Sequence, residues 1–599
     1  MGFGVNGRSS GLCDSAPLRE AFLLVLAAAT FGCTTKPYQP LKRDHLTAFE
    51  LSDSIHTATW EACIAYYAKL DSAFDEVTLL EVGITDVGKP LHLVTVSDVQ
   101  VKSPADVGDR TIFLVMNAIH PGEPEGVDAS MMLARDLILD STMRKLLKDV
   151  VVCIIPMYNV DGALNRGMSR VNQNGPPQHG FRGNARNLDL NRDFMKADAQ
   201  NTRSFIKLFH DWRPHVFVDN HTTDGADYQP VMTLISTQKD KLHPVLAKYL
   251  TEELDPFLYS EMNARGKLGM CPYVDVWGST IPDSGMTAFL ETPRYSTGFT
   301  TLFNTIGFVA ETHMLKPFGQ RVVATYDLML AMIQKMAADK ERLIALKQEA
   351  DDAVSTQESF ALNWTRDSTF RWIDYAGYEA SFRKSELTGR VIPQYDRSKP
   401  FTKPIKYYDT YRADRWATKP KSYIIPQAWH EAITLLELNR VPMQRLHRDT
   451  TIEVEVYYIE SYETMQQPFE GHYLHYNTTV RRDTVEMRYY AGDYRIPLGH
   501  RTDRFVVEAL EPEAVDSWFN WNFFDEVLQQ KEWFSPWIFD TMAVRMLAVD
   551  STLQKEYEEW LLMNPGAAGN EWATLSFFHE RSRYFEKSVR RYPVGRVVE

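Results

Sequence analysis

Cysteine is scarce, with five residues in a chain of 599, and none sits in a CxxC spacing. Cys63, Cys153 and Cys271 are isolated and odd in number, which excludes a disulfide framework and a cysteine zinc cluster. Cys153, inside "VVCIIP", reads as a small core residue. A basic surplus is lacking too. The formal net charge is -14, with both signs mixed along the chain. That argues against nucleic acid as a partner and speaks mainly to solubility. No apolar run reaches the roughly 20 residues that a membrane-spanning helix needs, and there is no internal repeat or low-complexity tract. What is present is a globular composition, 44% hydrophobic and 24% charged, with length for about two or three full-sized domains.

The N-terminus stands apart. Arg19 precedes an apolar run from Ala21 to Gly32, followed by Cys33 and the polar "TTKPYQP". A basic flank, a short apolar core and small residues at its end predict a secretory leader over residues 1–33, the alternative being a buried N-terminal helix. Ending in a cysteine, the segment resembles a bacterial lipoprotein signal, although Thr30 and Phe31 depart from the usual cleavage box. The resemblance implies export to the periplasm or cell surface and membrane attachment through a lipidated Cys33.

Next come strands alternating with helices. "KPLHLVTVSD", "TIFLVMNAI", "VVCIIPMYN", "PHVFVDNHT" and "GFVAETHML" are short and rich in branched apolar residues. "WEACIAYYAKLDSAF" and "VDASMMLARDLILD" carry helical spacing. The pattern predicts an α/β fold with a mixed, mostly parallel central sheet flanked by helices over residues 45–335. One long charged helix, roughly 321–357, opens a region of helix and extended linker at 336–440. Alternation in "TTIEVEVYYIESYE" and "TVEMRYYAGDYRIP" predicts a β-rich accessory domain at 441–599 that turns helical and aromatic beyond Pro512.

Several strands end in chemistry. In "VMNAIHPGEPEGVDAS" an apolar run stops at His120, and Glu123 follows across a Pro-Gly turn. Histidine is the commonest side-chain metal ligand, and catalytic zinc sites hold three protein ligands with one position open. Strand ends are where open α/β sheets gather their ligands. Alone, His-x-x-Glu also describes a surface pair. "HVFVDNHTTDG" brings His221 to a second strand end, with His215 at the opposite end expected to be structural. "GFVAETHML" brings Glu311 to a third, where partial burial raises a carboxylate towards a useful general base; the bland reading pairs it with Lys316. "GFRGNARNLDLNRDF" is dense in Arg and Asn. Its forked donors suit a carboxylate, unless it is only a solvated loop.

Taken together, "HPGE", "NVDG" at Asn159–Gly162, "RGNARNLDLNRDF", "DNHTTDG" and "VAETH" occur in the order found in the zinc metallocarboxypeptidases (the carboxypeptidase A-like funnelins), which the chain resembles over roughly residues 45–335. The resemblance implies one zinc ion held by His120, Glu123 and His221. It implies Glu311 as the base acting on water activated by that zinc, and as proton donor to the leaving amine. Arg182 becomes the residue that polarises the scissile carbonyl, Asn191 and Arg192 the binders of the substrate's C-terminal carboxylate, and Tyr295 the substrate-capping tyrosine. The substrate would be a peptide or protein, shortened from its C-terminus. Two departures stand out: Gly122 replaces an arginine of the digestive members, and Asp193 replaces an asparagine.

Other readings use the same residues. A cell-wall stem-peptide amidase or peptidase would share the zinc and Glu311. A non-catalytic peptide- or glycan-binding surface protein would use the aromatic tail, with Trp518, Trp521, Trp533 and Trp537 as a stacking surface. Near-helical spacing favours those aromatics as core.

Overall fold

The computed structural model describes residues 45–264, 268–274, 282 and 285–598. The leader expected at 1–33, with Cys33, lies outside the described residues. Leu46–Glu599 form one compact unit. Among the described residues no helix is long and apolar enough to cross a membrane.

The central sheet has eight strands. Those of the first half of the chain are β1 (Val77–Ile84), β2 (Pro90–Val96), β3 (Thr111–Asn117), β4 (Val150–Ile155), β5 (Val216–Thr223), β6 (Met232–Ser236), β7 (Met270–Pro272), β8 (Met286–Thr287) and β9 (Ile306–His313). All but β8 join in the order β1-β2-β4-β3-β5-β9-β6-β7. Its middle, β4-β3-β5-β9, is parallel throughout, while β2 and β6 flank it antiparallel. Every residue of β3, β4 and β5 is buried, as expected of strands covered on both faces.

The strand period of two divides β3 between two cores. Phe113 and Val115 pack with the helices Glu125–Leu139 and Phe318–Ala338. Ile112, Leu114 and Met116 face a second core built from the helix Gln200–Trp212 and, unexpectedly, from the C-terminal region through Phe505, Val506, Trp518, Phe519 and Trp521. Trp518 and Trp521 are fully buried, whereas Trp533 and Trp537 are exposed. Half of the aromatic tail is therefore core.

The single helix expected over 321–357 is two, Phe318–Ala338 and Lys340–Thr356. Asp339 interrupts them, its carboxylate held by Tyr249 at 2.9 Å and by Lys335 at 2.7 Å.

Beyond them run β10 (Ser359–Arg366), β11 (Arg371–Lys384), β12 (Val391–Tyr408), β13 (Tyr411–Thr418), β14 (Ser422–Ile425), β15 (Gln444–Arg445), β16 (Thr450–Thr464), β17 (His475–Tyr489), β18 (Tyr494–Pro497) and β19 (Gly595–Val597). The segment read as a wrap is extended, but paired: β10 with β13, and β11 with β12 in a long hairpin. That hairpin joins β8 through Tyr407 and Met286. The rest form a sheet of six strands ordered β15-β18-β14-β19-β16-β17.

Candidate metal centre

His120 lies three residues past the end of β3. The Pro121-Gly122 turn closes with Glu123 N–H donating to the His120 carbonyl at 2.8 Å, which returns Glu123 to its side. Nδ1 of His120 is then 3.3 Å from Oε2 of Glu123. His221 stands within β5, and its Nδ1 is 3.0 Å from the same oxygen. One ligand atom from each residue lies within 4.8 Å of the others, and all three residues are buried. The neighbouring Glu125 is an anchor: it accepts from Thr222 at 2.6 Å and from the fully buried Arg321 at 2.7 Å. Of the two glutamates in "HPGEPEG", one serves the site and the other fixes the helix behind it.

Two imidazoles and a carboxylate make the donor set of a catalytic zinc. The outer partners agree. Asp189 Oδ1 is 2.9 Å from Nε2 of His120, and Asp219 Oδ2 is 2.9 Å from Nε2 of His221. At His120 the Asp189 carboxylate keeps the proton on Nε2 and leaves the Nδ1 lone pair for a metal, whereas at His221 Asp219 stands close to Nε2 without hydrogen-bond geometry. Burial pushes the Glu123 carboxyl up, but Arg170 and His120 outweigh it and hold Glu123 well below the usual range. An anionic Glu123 completes the set, so these residues fit a zinc ion.

Glu311 sits on β9 in register with His221. Burial is the main force that raises it to about 7; His221 opposes, while Glu123 and Asp219 add to the rise. Lys316 does not pair with it but bonds Asp227 at 3.1 Å. His215, at the other end of β5, accepts from Ile112 N–H at 3.0 Å and faces away from the site.

The Arg- and Asn-rich segment is organised by Asp189. Besides His120, its carboxylate accepts from Arg182 Nε at 3.0 Å and Nη2 at 2.7 Å, and from Asn191 N–H at 2.9 Å. The "NVDG" stretch carries the Arg182 loop: Asn159 Nδ2 donates to the Arg182 carbonyl at 2.9 Å. A side chain at Gly162 would meet the Phe181 carbonyl at 2.3 Å, so only glycine lets this loop approach. Asn191 Oδ1 accepts from Ser296 N–H at 3.1 Å. The Arg192 guanidinium stacks 4.5 Å above the Tyr295 ring. The structure thus brings Arg182, Asn191, Arg192 and Tyr295 to one rim beside the three metal-type ligands.

Sequence reasoning missed Arg170. Its Nη1 is 2.5 Å from Oε1 of Glu123, and its Nη2 donates to the Thr222 carbonyl at 3.2 Å. A side chain at position 122 would meet Arg170 Cδ at 2.7 Å. Arg170 therefore fills the space that Gly122 leaves. Its own neighbourhood, "RGMSRVNQNG", carries no signal of this. Asp189 and Asp219 lie within the motifs above; the role of Asp189 depends on a contact 69 residues away, and that of Asp219 on His221, two residues along the same strand.

Residues 63–254 match the family model described as zinc carboxypeptidase. The carboxypeptidase 2 of Trichophyton rubrum is 24% identical over 449 residues, covering 72% of this chain and 76% of that relative. A probable carboxypeptidase 2 of Arthroderma benhamiae is 23% identical over 446 residues, covering 71% and 78%. Among solved structures, carboxypeptidase A from Helicoverpa armigera gives a TM-score of 0.37 at 14% identity, covering 54% of this chain and 80% of that one. The metallo-carboxypeptidase from Pseudomonas aeruginosa gives 0.36 at 18%, covering 48% and 70%. Residues 63–254 thus carry a zinc carboxypeptidase domain, a hydrolase domain, and the chain is similar to carboxypeptidases over about 70% of its length.

Proposed function

We propose that residues 45–335 hydrolyse peptide bonds and release C-terminal residues, with 336–440 and 441–599 as the flanking regions defined above. The observation that carries this reading is Asp189, one carboxylate joined at once to His120, Arg182 and the Asn191 turn. It ties the metal group to a rim of forked donors. Zinc bound by His120, Glu123 and His221 supplies a Lewis acid that acidifies water and polarises a carbonyl.

The chain's own residues do the rest. Arg192 and Asn191 hold the terminal carboxylate of the substrate, which an internal peptide bond does not offer. The rim so places the last peptide bond over the metal group. Glu311, its carboxyl raised by burial, takes a proton from the attacking water and delivers it to the leaving amine. Arg182 and Arg170 both approach Oε1 of Glu123, at 3.6 and 2.5 Å, and set positive charge where the tetrahedral oxyanion forms. Tyr295 lies under Arg192 and caps the bound residue. The leader pattern at Arg19–Cys33 supports export, with Cys33 as the lipid attachment point.

The test is a peptide library offered with free and with amidated C-termini, read by mass spectrometry. Ladders from free C-termini alone support the reading. Internal cuts, or equal cleavage of amidated peptides, overturn the exopeptidase assignment.

A further inference from the structure

The β16–β17 hairpin of the C-terminal region ends against the site. Its tip is a tight turn: Phe469 and His472 exchange both backbone hydrogen bonds, at 2.7 and 3.1 Å, around Glu470 and Gly471. Both central residues have positive φ, 50° and 86°. Turns of this type call for Asn-Gly, because side chains other than Asn and Asp rarely adopt the left-handed region. Here a glutamate occupies the first position. Its carboxylate has a partner that explains the choice, since Oε2 accepts from Asp189 N–H at 2.7 Å. Next to it, His472 Nε2 lies 2.9 Å from Asp198, and Trp518 Nε1 donates to the Met195 carbonyl at 2.9 Å. The hairpin tip, through Glu470 and His472, thus grips the segment that carries Asp189, Asn191 and Arg192, and Trp518 from beyond the hairpin holds its far end.

We propose that Glu470 is a positioning residue for the metal group, so that the C-terminal region completes the active site. This role rests on the zinc reading above and runs through a short chain of contacts. Glu470 fixes the backbone of Asp189, and Asp189 fixes the ring of His120 through Nε2. The orientation of His120 Nδ1 towards Glu123 and His221 then depends on a residue 281 positions from Asp189. Glu470 touches neither substrate nor metal.

Two variants separate this role from simple folding. Glu470→Asn suits the left-handed turn better but is one methylene too short to reach Asp189. Glu470→Gln keeps an oxygen acceptor of the same reach. Zinc affinity, by competition with a chelating indicator, and thermal melting are measured on full-length protein, with kcat/KM alongside. Glu470→Asn is expected to melt at or above wild type yet bind zinc about tenfold more weakly, the scale of outer-partner losses. Glu470→Gln is expected within about threefold of wild type, since it keeps that partner. Amide exchange at Asp189 is expected to be slow in wild type and faster in Glu470→Asn. Wild-type zinc affinity in Glu470→Asn, or equal loss in both variants, overturns the proposal while leaving the peptidase reading intact. A wild type that takes up no zinc overturns both.

Discussion

Arg170 grips Glu123 from 47 residues away, its Nη1 2.5 Å from Oε1. Arg182 reaches the same oxygen only to 3.6 Å and spends its remaining donors on Asp189. The two guanidiniums should therefore act on the metal through different ligands. Arg170→Ala is expected to lower kcat by about 100-fold or more, the scale of an oxyanion donor, and to weaken zinc by about tenfold through Glu123, which loses the guanidinium that holds it anionic. Arg182→Ala is expected to weaken zinc as well, by about tenfold, because Asp189 loses the partner that steadies it. Steady-state kinetics beside chelator competition reads both losses. An unchanged kcat in Arg170→Ala would assign the oxyanion to Arg182 alone.

Glu311 lies outside the three-ligand group, so Glu311→Gln should keep zinc at one per chain while kcat falls by about 100-fold to 10,000-fold. The base must be ionised to act. Its carboxyl is raised to about 7 by burial without a metal, and the charge of a bound cation pulls it down. The acid limb of kcat/KM should thus lie at or below about 7 and vanish in the variant. Full activity in Glu311→Gln would remove it from the mechanism.

Metal removal should be felt in stability as well as in turnover. His120, Glu123 and His221 converge only in the folded chain, so the ion binds native protein and stabilises it by about 2.7 kcal/mol at 100 times its dissociation constant. Dialysis against a chelator is expected to abolish cleavage and lower the melting temperature, and added zinc to restore both. An unchanged melt with restored cleavage would mean that the ion binds too weakly to be resident.

Much of this site was legible because parallel strands leave plain marks. The runs before Asn117, Asp219 and Glu311 are apolar on both faces, and polar residues appear where each strand ends. What the pattern could not carry was anything made by distant contact. Arg170 reads as a loop residue until its Cδ is found beside Gly122. Trp518 and Phe519 belong to the core of the central sheet, yet nothing local in "DSWFNWNFFDEV" says which sheet they cover. The break at Asp339 depends on Tyr249, 90 residues away. Glu470 is more extreme, for its turn position argues against a glutamate, and only the Asp189 amide accounts for it.

Acid stability offers a test with opposite signs in one molecule. His210 is buried and His215 half-buried, and each is brought down from 6.5 to about 3, mainly by desolvation. Their partners, Ile112 N–H and Asn439, accommodate an uncharged ring. Between those values the unfolded chain binds the proton and the native chain does not. Stability is therefore lost as pH falls from 6.5 towards 3, by up to about 1.4 kcal/mol per pH unit for each ring. Asp128 works the other way: burial raises it to about 7, so the native state holds the extra proton and stability falls as pH rises from 3.8 to 7. Total profiles mix the two, but variants separate them. The gap in melting temperature between wild type and His215→Gln should narrow as pH falls below 6.5, since only wild type must keep an imidazole neutral. Asp128→Asn should instead gain on wild type as pH rises towards 7. A constant gap for His215→Gln would mean that the ring takes up its proton inside the fold, against the burial that surrounds it.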